Sequence, residues 1–319
     1  MFTGDKLDHY RIEKLTARSG MASIYQAVDE RDGKIVGIKI PHSEMECDPV
    51  LFERFQREEE IGTKLDHPAI MKVYRDEDRS KVYMVMEWVE GRLLREILRE
   101  SRRLEPERAI RFTLAILDAL DYIHSHGVVH RDLKPENIMV NGNDVIKLID
   151  FGIAAKEGAR RITFAKFSQL LGTPDYVSPE QVKGKSGDAR SDLYAAGVML
   201  YEMLTGEVPF KGANPLLIMN DRLINNPVPP TTLNPEITPQ LQEVIYRAME
   251  RDPRQRYARA SEFAWDLKNL DQVGVGEREE LINWKRRKAP ILGRVLLWVG
   301  LAAIPFIVFG LLFLVATHG

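Results

Sequence analysis

In the first ninety residues, apolar side chains fall mainly on alternate positions, the period of a strand with one buried face. RIEKLT and SIYQAV flank the turn ARSGMA, Asp32-Gly33 makes a second hairpin before KIVGIKI, and MKVYRD and VYMVMEWV resume the pattern. One helix interrupts it, fitting Asp48 to Leu65, with Pro49 in its first turn and Leu51, Phe52, Phe55 and Leu65 on one side. Beyond Gly91 the apolar spacing changes to three and four. Pro106 opens a long helix to His124 along Ile110, Thr113, Leu117, Leu120 and Ile123, and Gly127 ends it. Further helices are expected at 191–205, 238–250 and 260–270, with Pro239 and Ser261 as starting residues. The pattern predicts an α+β fold of two lobes: a small β-rich lobe over about 10–90 and a larger α-rich lobe over about 91–270. Residues 271–290, with Gly274, Gly276 and many charges, read as a juxtamembrane linker.

A different pattern follows. Val295 to Ala316 is a run of twenty-two residues without a charge. At about 1.5 Å per helical residue it covers the ~30 Å hydrocarbon thickness of a bilayer, so one transmembrane helix is expected within 291–316. Lys285, Arg286, Arg287, Lys288 and Arg294 precede it, and the positive-inside rule keeps that flank in the cytoplasm. Only Thr317, His318 and Gly319 would lie beyond the membrane. The expectation is a single-pass protein of the cytoplasmic membrane with its large domain facing the cytoplasm. A soluble protein with an apolar partner-binding tail is the competing reading.

Composition narrows the function. The 319 residues carry a formal net charge of −2, without the basic excess of a nucleic-acid binder. Cys47 is the only cysteine, so no intramolecular disulfide forms. The N-terminal MFTGDKLDHYRIEKL lacks the apolar centre of a signal peptide. His124, His126 and His130 do not make a metal site by spacing, because Gly127 breaks the helix between them.

The decisive stretch is VVHRDLKPENIMV at 128–140, followed by VIKLIDFGIA at 145–154. Asp132, Lys134 and Asn137 stand at the offsets of H-R-D-x-K-x-x-N, and Asp150 of D-F-G comes eighteen residues after Asp132. Over roughly 10–270 the chain resembles the eukaryotic-like (Hanks-type) serine/threonine protein kinases of bacteria. The resemblance implies transfer of the ATP γ-phosphoryl group to protein Ser or Thr hydroxyls, with ATP and Mg2+ as cofactors and autophosphorylation expected. Asp132 would accept the substrate proton and Lys134 would steady the transferring phosphate. Asn137 and Asp150 would hold the metal. Lys39, in VGIK, would meet the α- and β-phosphates, and spacing back from His67-Pro68 favours Glu58 over Glu59 and Glu60 as its partner. VMEWVEG resembles the hinge, with Met86 guarding the back pocket and the backbones of Glu87 and Val89 facing adenine. LGTPDYVSPE resembles the end of an activation segment, with Thr173 presenting the substrate hydroxyl and Ser178 in the place of the usual alanine. Glu180 and Arg256 would form a buried pair, and Asp192 would brace the catalytic loop. Arg131 would pair with a phosphorylated residue, for which Thr163 and Ser168 are candidates.

The phosphate loop departs from the family pattern. Thr16, Ala17, Arg18, Ser19, Gly20, Met21, Ala22, Ser23 and Ile24 occupy it, and Ala17, Ser19 and Ala22 stand where G-x-G-x-x-G has its glycines. All three still offer backbone N–H groups, so an active kinase with weakened ATP binding is expected. The alternative is a pseudokinase, a nucleotide-binding or interaction module with the fold and no useful turnover. The expected partners are protein substrates and a lipid bilayer, with a homodimer left open.

Overall fold

The computed structural model describes residues 3–19, 21–43, 48–76, 78–150, 155–156 and 174–278, with the backbone alone at 155–156. A six-stranded sheet forms the smaller lobe. Its strands are β1 (Lys6–Leu7), β2 (Tyr10–Arg18), β3 (Ala22–Asp29), β4 (Ile35–Pro41), β5 (Val73–Tyr74) and β6 (Met84–Glu87), in the order β1-β2-β3-β4-β6-β5 with antiparallel neighbours. Register places Ile24 opposite Lys39, and Gly37 opposite Met86. Tyr10, Ile12, Ala27, Val36, Ile38, Tyr83 and Val85 bury its core.

Helix α1 (Pro49–Gly62) packs on that sheet through Phe55, which lies against Val73 and Met84. It begins where the sequence predicts: Asp48 is the cap and accepts from the N–H of Val50 at 2.9 Å, and Pro49 supplies the first helical φ. It stops before the expected Leu65, because Thr63 turns its hydroxyl onto the Glu59 carbonyl.

The chain crosses to the larger lobe at Gly91. A Cβ there would sit 2.3 Å from the Val140 carbonyl oxygen, so only glycine fits. β7 (Arg92–Leu93), α2 (Leu94–Ser101) and α3 (Pro106–Ser125) follow, then β8 (Val128–Val129), β9 (Ile138–Val140) and β10 (Ile146–Leu148). β10-β9-β7 form a small sheet, and β8 pairs with β11 (Ala155–Lys156). The remaining helices are α4 (Pro179–Val182), α5 (Ala189–Thr205), α6 (Pro215–Ile224), α7 (Pro230–Leu233), α8 (Pro239–Ala248) and α9 (Ala260–Lys268). α5 starts before the expected residue 191, since Asp188 caps the N–H of Arg190, and it ends at Gly206 with φ of 75°. It is buried over nearly its whole surface and packs against α3 and α8. This is the two-lobed protein kinase fold.

Residues 271–278, expected as the start of a linker, are fastened to the larger lobe. Val273 packs on its core, and Arg278 reaches Glu243 at 2.6 and 2.8 Å and Glu250 at 2.8 Å. Among the described residues no helix is long and apolar enough to cross a membrane. The expected span at 291–316 and the rest of its linker lie outside the described residues.

Candidate active site

Two lobes meet here, and each brings charged side chains on a rigid element. β4 presents Lys39 and α1 presents Glu58, whose carboxylate accepts from the ammonium at 2.6 and 2.8 Å. Only 6% of Glu58 is exposed. Burial pushes its carboxyl up to about 7, with the Asp150 charge adding to the rise and Lys39 opposing it. Burial also pulls on Lys39, but Glu58 and Asp150 together hold its pKa above the ordinary value. Glu58 holds the ammonium by contact, the Asp150 charge acts on it through space, and the lysine stays charged.

From the other lobe, the segment between β8 and β9 carries Asp132, Lys134 and Asn137. Lys134 donates to Asp132 Oδ2 at 2.6 Å. Asn137 Nδ2 donates to the Asp132 carbonyl at 2.8 Å and lies 3.4 Å from its Oδ2. Its amide nitrogen is thereby turned toward the loop and its oxygen is left for a ligand. Burial raises the pKa of Asp132 against the pull of Lys134. A carboxylate of raised basicity beside a cation suits proton acceptance. Ile149 donates its N–H to the Asn137 carbonyl at 3.0 Å, which ties the approach to Asp150 to the same loop.

The loop is held in an unfavourable conformation from below. Arg131 has φ of 65°, a value that L-residues seldom adopt. Asp192 of α5 fixes it by accepting from the N–H groups of His130 at 2.9 Å and Arg131 at 2.7 Å. Burial pushes the Asp192 carboxyl up, but His124 at 2.8 Å and these amides hold it below the ordinary value. His124 is thus a structural partner, and among the described residues no cluster fit for a metal occurs outside the expected oxygen ligands.

Ser178 has more work than its small size suggests. It is fully buried, and its N–H and hydroxyl both donate to Gln181 Oε1 at 2.9 Å, while Gln181 Nε2 donates to the Arg131 carbonyl at 3.2 Å. Glu180 meets Arg256 at 2.7 and 2.8 Å, and the Arg256 side chain is 0% exposed. Sequence reasoning missed a second cluster: Arg95 binds Glu136 at 2.8 Å, Glu202 at 2.7 Å and the Tyr176 hydroxyl. A cavity of about 350 Å³ opens beside it, lined by Arg131, Asp132, Lys134, Asp175 and Tyr176. No spacing signal links residues 95, 136, 176 and 202; only the packing brings them together.

At the hinge, the Glu87 N–H donates to the Lys72 carbonyl at 2.8 Å, and its carboxylate holds Lys147 at 2.6 and 2.7 Å. Met86 is buried. In the phosphate loop, Ala17 pairs with Ile24 and Arg18 with Ser23 across the hairpin. The Ser19 hydroxyl lies 3.3 Å from the N–H of Met21 and 3.1 Å from that of Ala22, accepting from both. Ser23 Oγ is 2.9 Å from His42 Nε2. Gly20, Cys47, Thr163, Ser168 and Thr173 lie outside the described residues.

This constellation coincides with a sequence match. The protein kinase domain family matches residues 10–265. The chain belongs to that family. A probable serine/threonine-protein kinase of Streptomyces coelicolor is 41% identical over 273 residues, covering 84% of this chain and 41% of its own length. Serine/threonine-protein kinase PknB of Mycolicibacterium smegmatis is 37% identical over 265 residues, covering 82% and 42%. The chain therefore spans less than half the length of these curated relatives. Among solved structures, the kinase domain of Mycobacterium tuberculosis PknI is similar, with a TM-score of 0.66 at 23% identity, covering 85% of this chain and 99% of that one. That likeness is one of fold. Ala17, Ser19 and Ala22 stand where the family pattern has its phosphate-loop glycines, and Ser19 adds two hydrogen bonds from backbone N–H groups.

Proposed function

We propose that this chain is a serine/threonine protein kinase that moves the γ-phosphoryl group of ATP to protein hydroxyls. The observation that carries the reading is the placement of Asp132, Lys134 and Asn137 on one loop with Asp150 and the Lys39–Glu58 pair within electrostatic reach. Asp132 takes the proton of the substrate hydroxyl as that oxygen bonds to the γ-phosphorus and the bond to the bridging oxygen of the leaving diphosphate breaks. Lys134 neutralises charge on the group in transfer, and Lys39, held by Glu58, engages the remaining phosphates. Adenine is held at the hinge through the Glu87 carbonyl, since the Glu87 N–H is engaged with Lys72, and through the Val89 backbone.

The Asn137 amide oxygen and the Asp150 carboxylate are hard oxygen donors and suit Mg2+. A bound divalent cation there supplies neutralisation of phosphate charge. Autophosphorylation at Thr163 or Ser168, with Arg131 receiving the phosphate, belongs to the same proposal. So does Thr173 as the residue presenting the substrate hydroxyl.

The uncharged run 295–316 and the basic flank at 285–294 support single-pass anchoring in the cytoplasmic membrane with the domain at about 10–270 on the cytoplasmic side. Carbonate-resistant retention in the membrane fraction supports it; recovery in the soluble fraction removes it. One observation favours a pseudokinase instead: two N–H groups of the phosphate loop are already capped by Ser19. Incubation with γ-labelled ATP, Mg2+ and a mixed Ser/Thr peptide library separates the two. Label on serine or threonine supports the kinase, and nucleotide binding with unlabelled peptide supports the alternative.

A further inference from the structure

Arg222 is among the largest fully buried side chains of the protein, at 1% exposed, and it is an arginine. It projects from α6. Its guanidinium lies 5.6 Å from the Phe210 ring centroid and 6.0 Å from that of Tyr194. Burying a permanent charge is costly unless something specific receives it. Among the described residues no carboxylate lies in salt-bridge contact with it. Two backbone carbonyls do the receiving: Nη1 donates to Pro174 O at 2.6 Å, and Nη2 donates to Asp175 O at 2.5 Å.

Those carbonyls belong to the strip 174–177, of which Asp175, Tyr176 and Val177 line the cavity that holds Asp132 and Lys134. The strip has no strand or helix of its own. Its inner side chains are tied by Arg95 through Tyr176, and its backbone is tied from behind by Arg222. Lysine could not offer two forked donors at fixed spacing.

We infer that Arg222 is a positioning residue for the protein substrate: it sets where the 174–177 strip stands opposite Asp132, and so controls peptide binding without touching substrate or nucleotide. The inference rests on the kinase reading for its kinetic consequence, but its structural half stands apart from turnover. ATP meets the hinge, Lys39 and the phosphate loop, none of which Arg222 contacts. Loss of Arg222 therefore separates the two substrates. The Michaelis constant for a peptide rises about tenfold, the effect of losing a charge-assisted pair of hydrogen bonds, while that for ATP and the peptide-independent ATP hydrolysis stay within about twofold.

The test uses the full chain in detergent, as Arg222→Met, which conserves volume, and Arg222→Lys, which keeps the charge but on a single donor nitrogen without the fork. Peptide and ATP constants are measured beside amide hydrogen exchange over 175–178. The expected result is faster exchange in that strip alone, with a peptide-specific rise in KM that the lysine variant partly reverses. Where the methionine variant does not fold, the lysine variant alone carries the same comparison. Unaltered exchange at 175–178 in a folded variant overturns the assignment whatever the activity. A parallel change in peptide KM, ATP KM and ATP hydrolysis overturns it too, since that marks a merely structural residue. Local loosening in a parent protein that turns nothing over supports the placement of Arg222 and counts against the kinase reading alone.

Discussion

The ammonium of Lys39 and the carboxylate of Glu58 bridge β4 and α1 at 2.6 and 2.8 Å, in the cleft where the Asp150 charge also acts. Their union sets the position of α1 against the sheet and aims the lysine. Lys39→Met leaves Glu58 buried without its cation, and Glu58→Gln leaves Lys39 without its orienting charge. Each should lower kcat/KM by at least about 100-fold, and the double variant should lose little more than the worse single one, because the two act as a unit. Additive losses in a steady-state double-mutant cycle would show that they work separately.

Ser19 governs the loop that departs from its family. Its hydroxyl caps the N–H groups of Met21 and Ala22, donors that an anion would otherwise use. Ser19→Ala frees them without adding bulk. The KM for ATP should fall by about three- to tenfold with kcat nearly unchanged, the return of one or two modest hydrogen bonds. A higher KM in this variant would mean that the serine orders the loop for ATP and does not compete with it.

Asp175 makes the fold less stable as pH rises from about 4 to about 6. Burial raises its carboxyl to about 6 from 3.8, with the Arg222 charge opposing the rise. A carboxyl raised in the folded state favours folding while both states are protonated, and that contribution is lost as pH climbs toward the folded value. The melting temperature of Asp175→Asn relative to the parent should therefore be close to zero difference near pH 4, grow up to about pH 6, and stay in the variant's favour above it. A constant difference across that range would contradict the raised carboxyl.

Glu180 and Arg256 behave in the opposite sense. Burial alone would push the Glu180 carboxyl up, but Arg256 and Ser191 hold it below its ordinary value. Its contribution is present above the ordinary carboxylate range and is lost as pH falls through the depressed value. Arg256→Met strands a buried carboxylate and should cost about 3–5 kcal/mol of unfolding free energy, measured by urea denaturation. A loss below about 1 kcal/mol would show that Glu180 finds another partner.

The chain announced its large features and concealed its bracing. Alternation and the three–four period placed the sheet, α1, α3, α5, α8 and α9, because one face of each must be buried and the sequence has to write that face. Capping residues such as Asp48 and Asp188 then set the starts more finely than periodicity could. The spacing of Asp132, Lys134 and Asn137 was readable because one loop carries all three. Arg95 with Glu202, Arg222 with Pro174 and Arg278 with Glu243 were not, since each joins residues brought together only by the path of the chain. By sequence Ser178 only stood in the place of the usual alanine; its hydrogen bonds to Gln181 give it a positive role that the motif did not disclose.

The most direct test of phosphoryl transfer is the intact mass of the purified full chain after incubation with ATP and Mg2+, beside Asp132→Asn treated alike. The account predicts phosphate added to the parent and none to the variant, with Thr163 or Ser168 among the mapped positions. An unchanged mass in a folded parent that also leaves peptide substrates unmodified would contradict it, and would make the capped phosphate loop the mark of a protein that holds the kinase fold without the reaction.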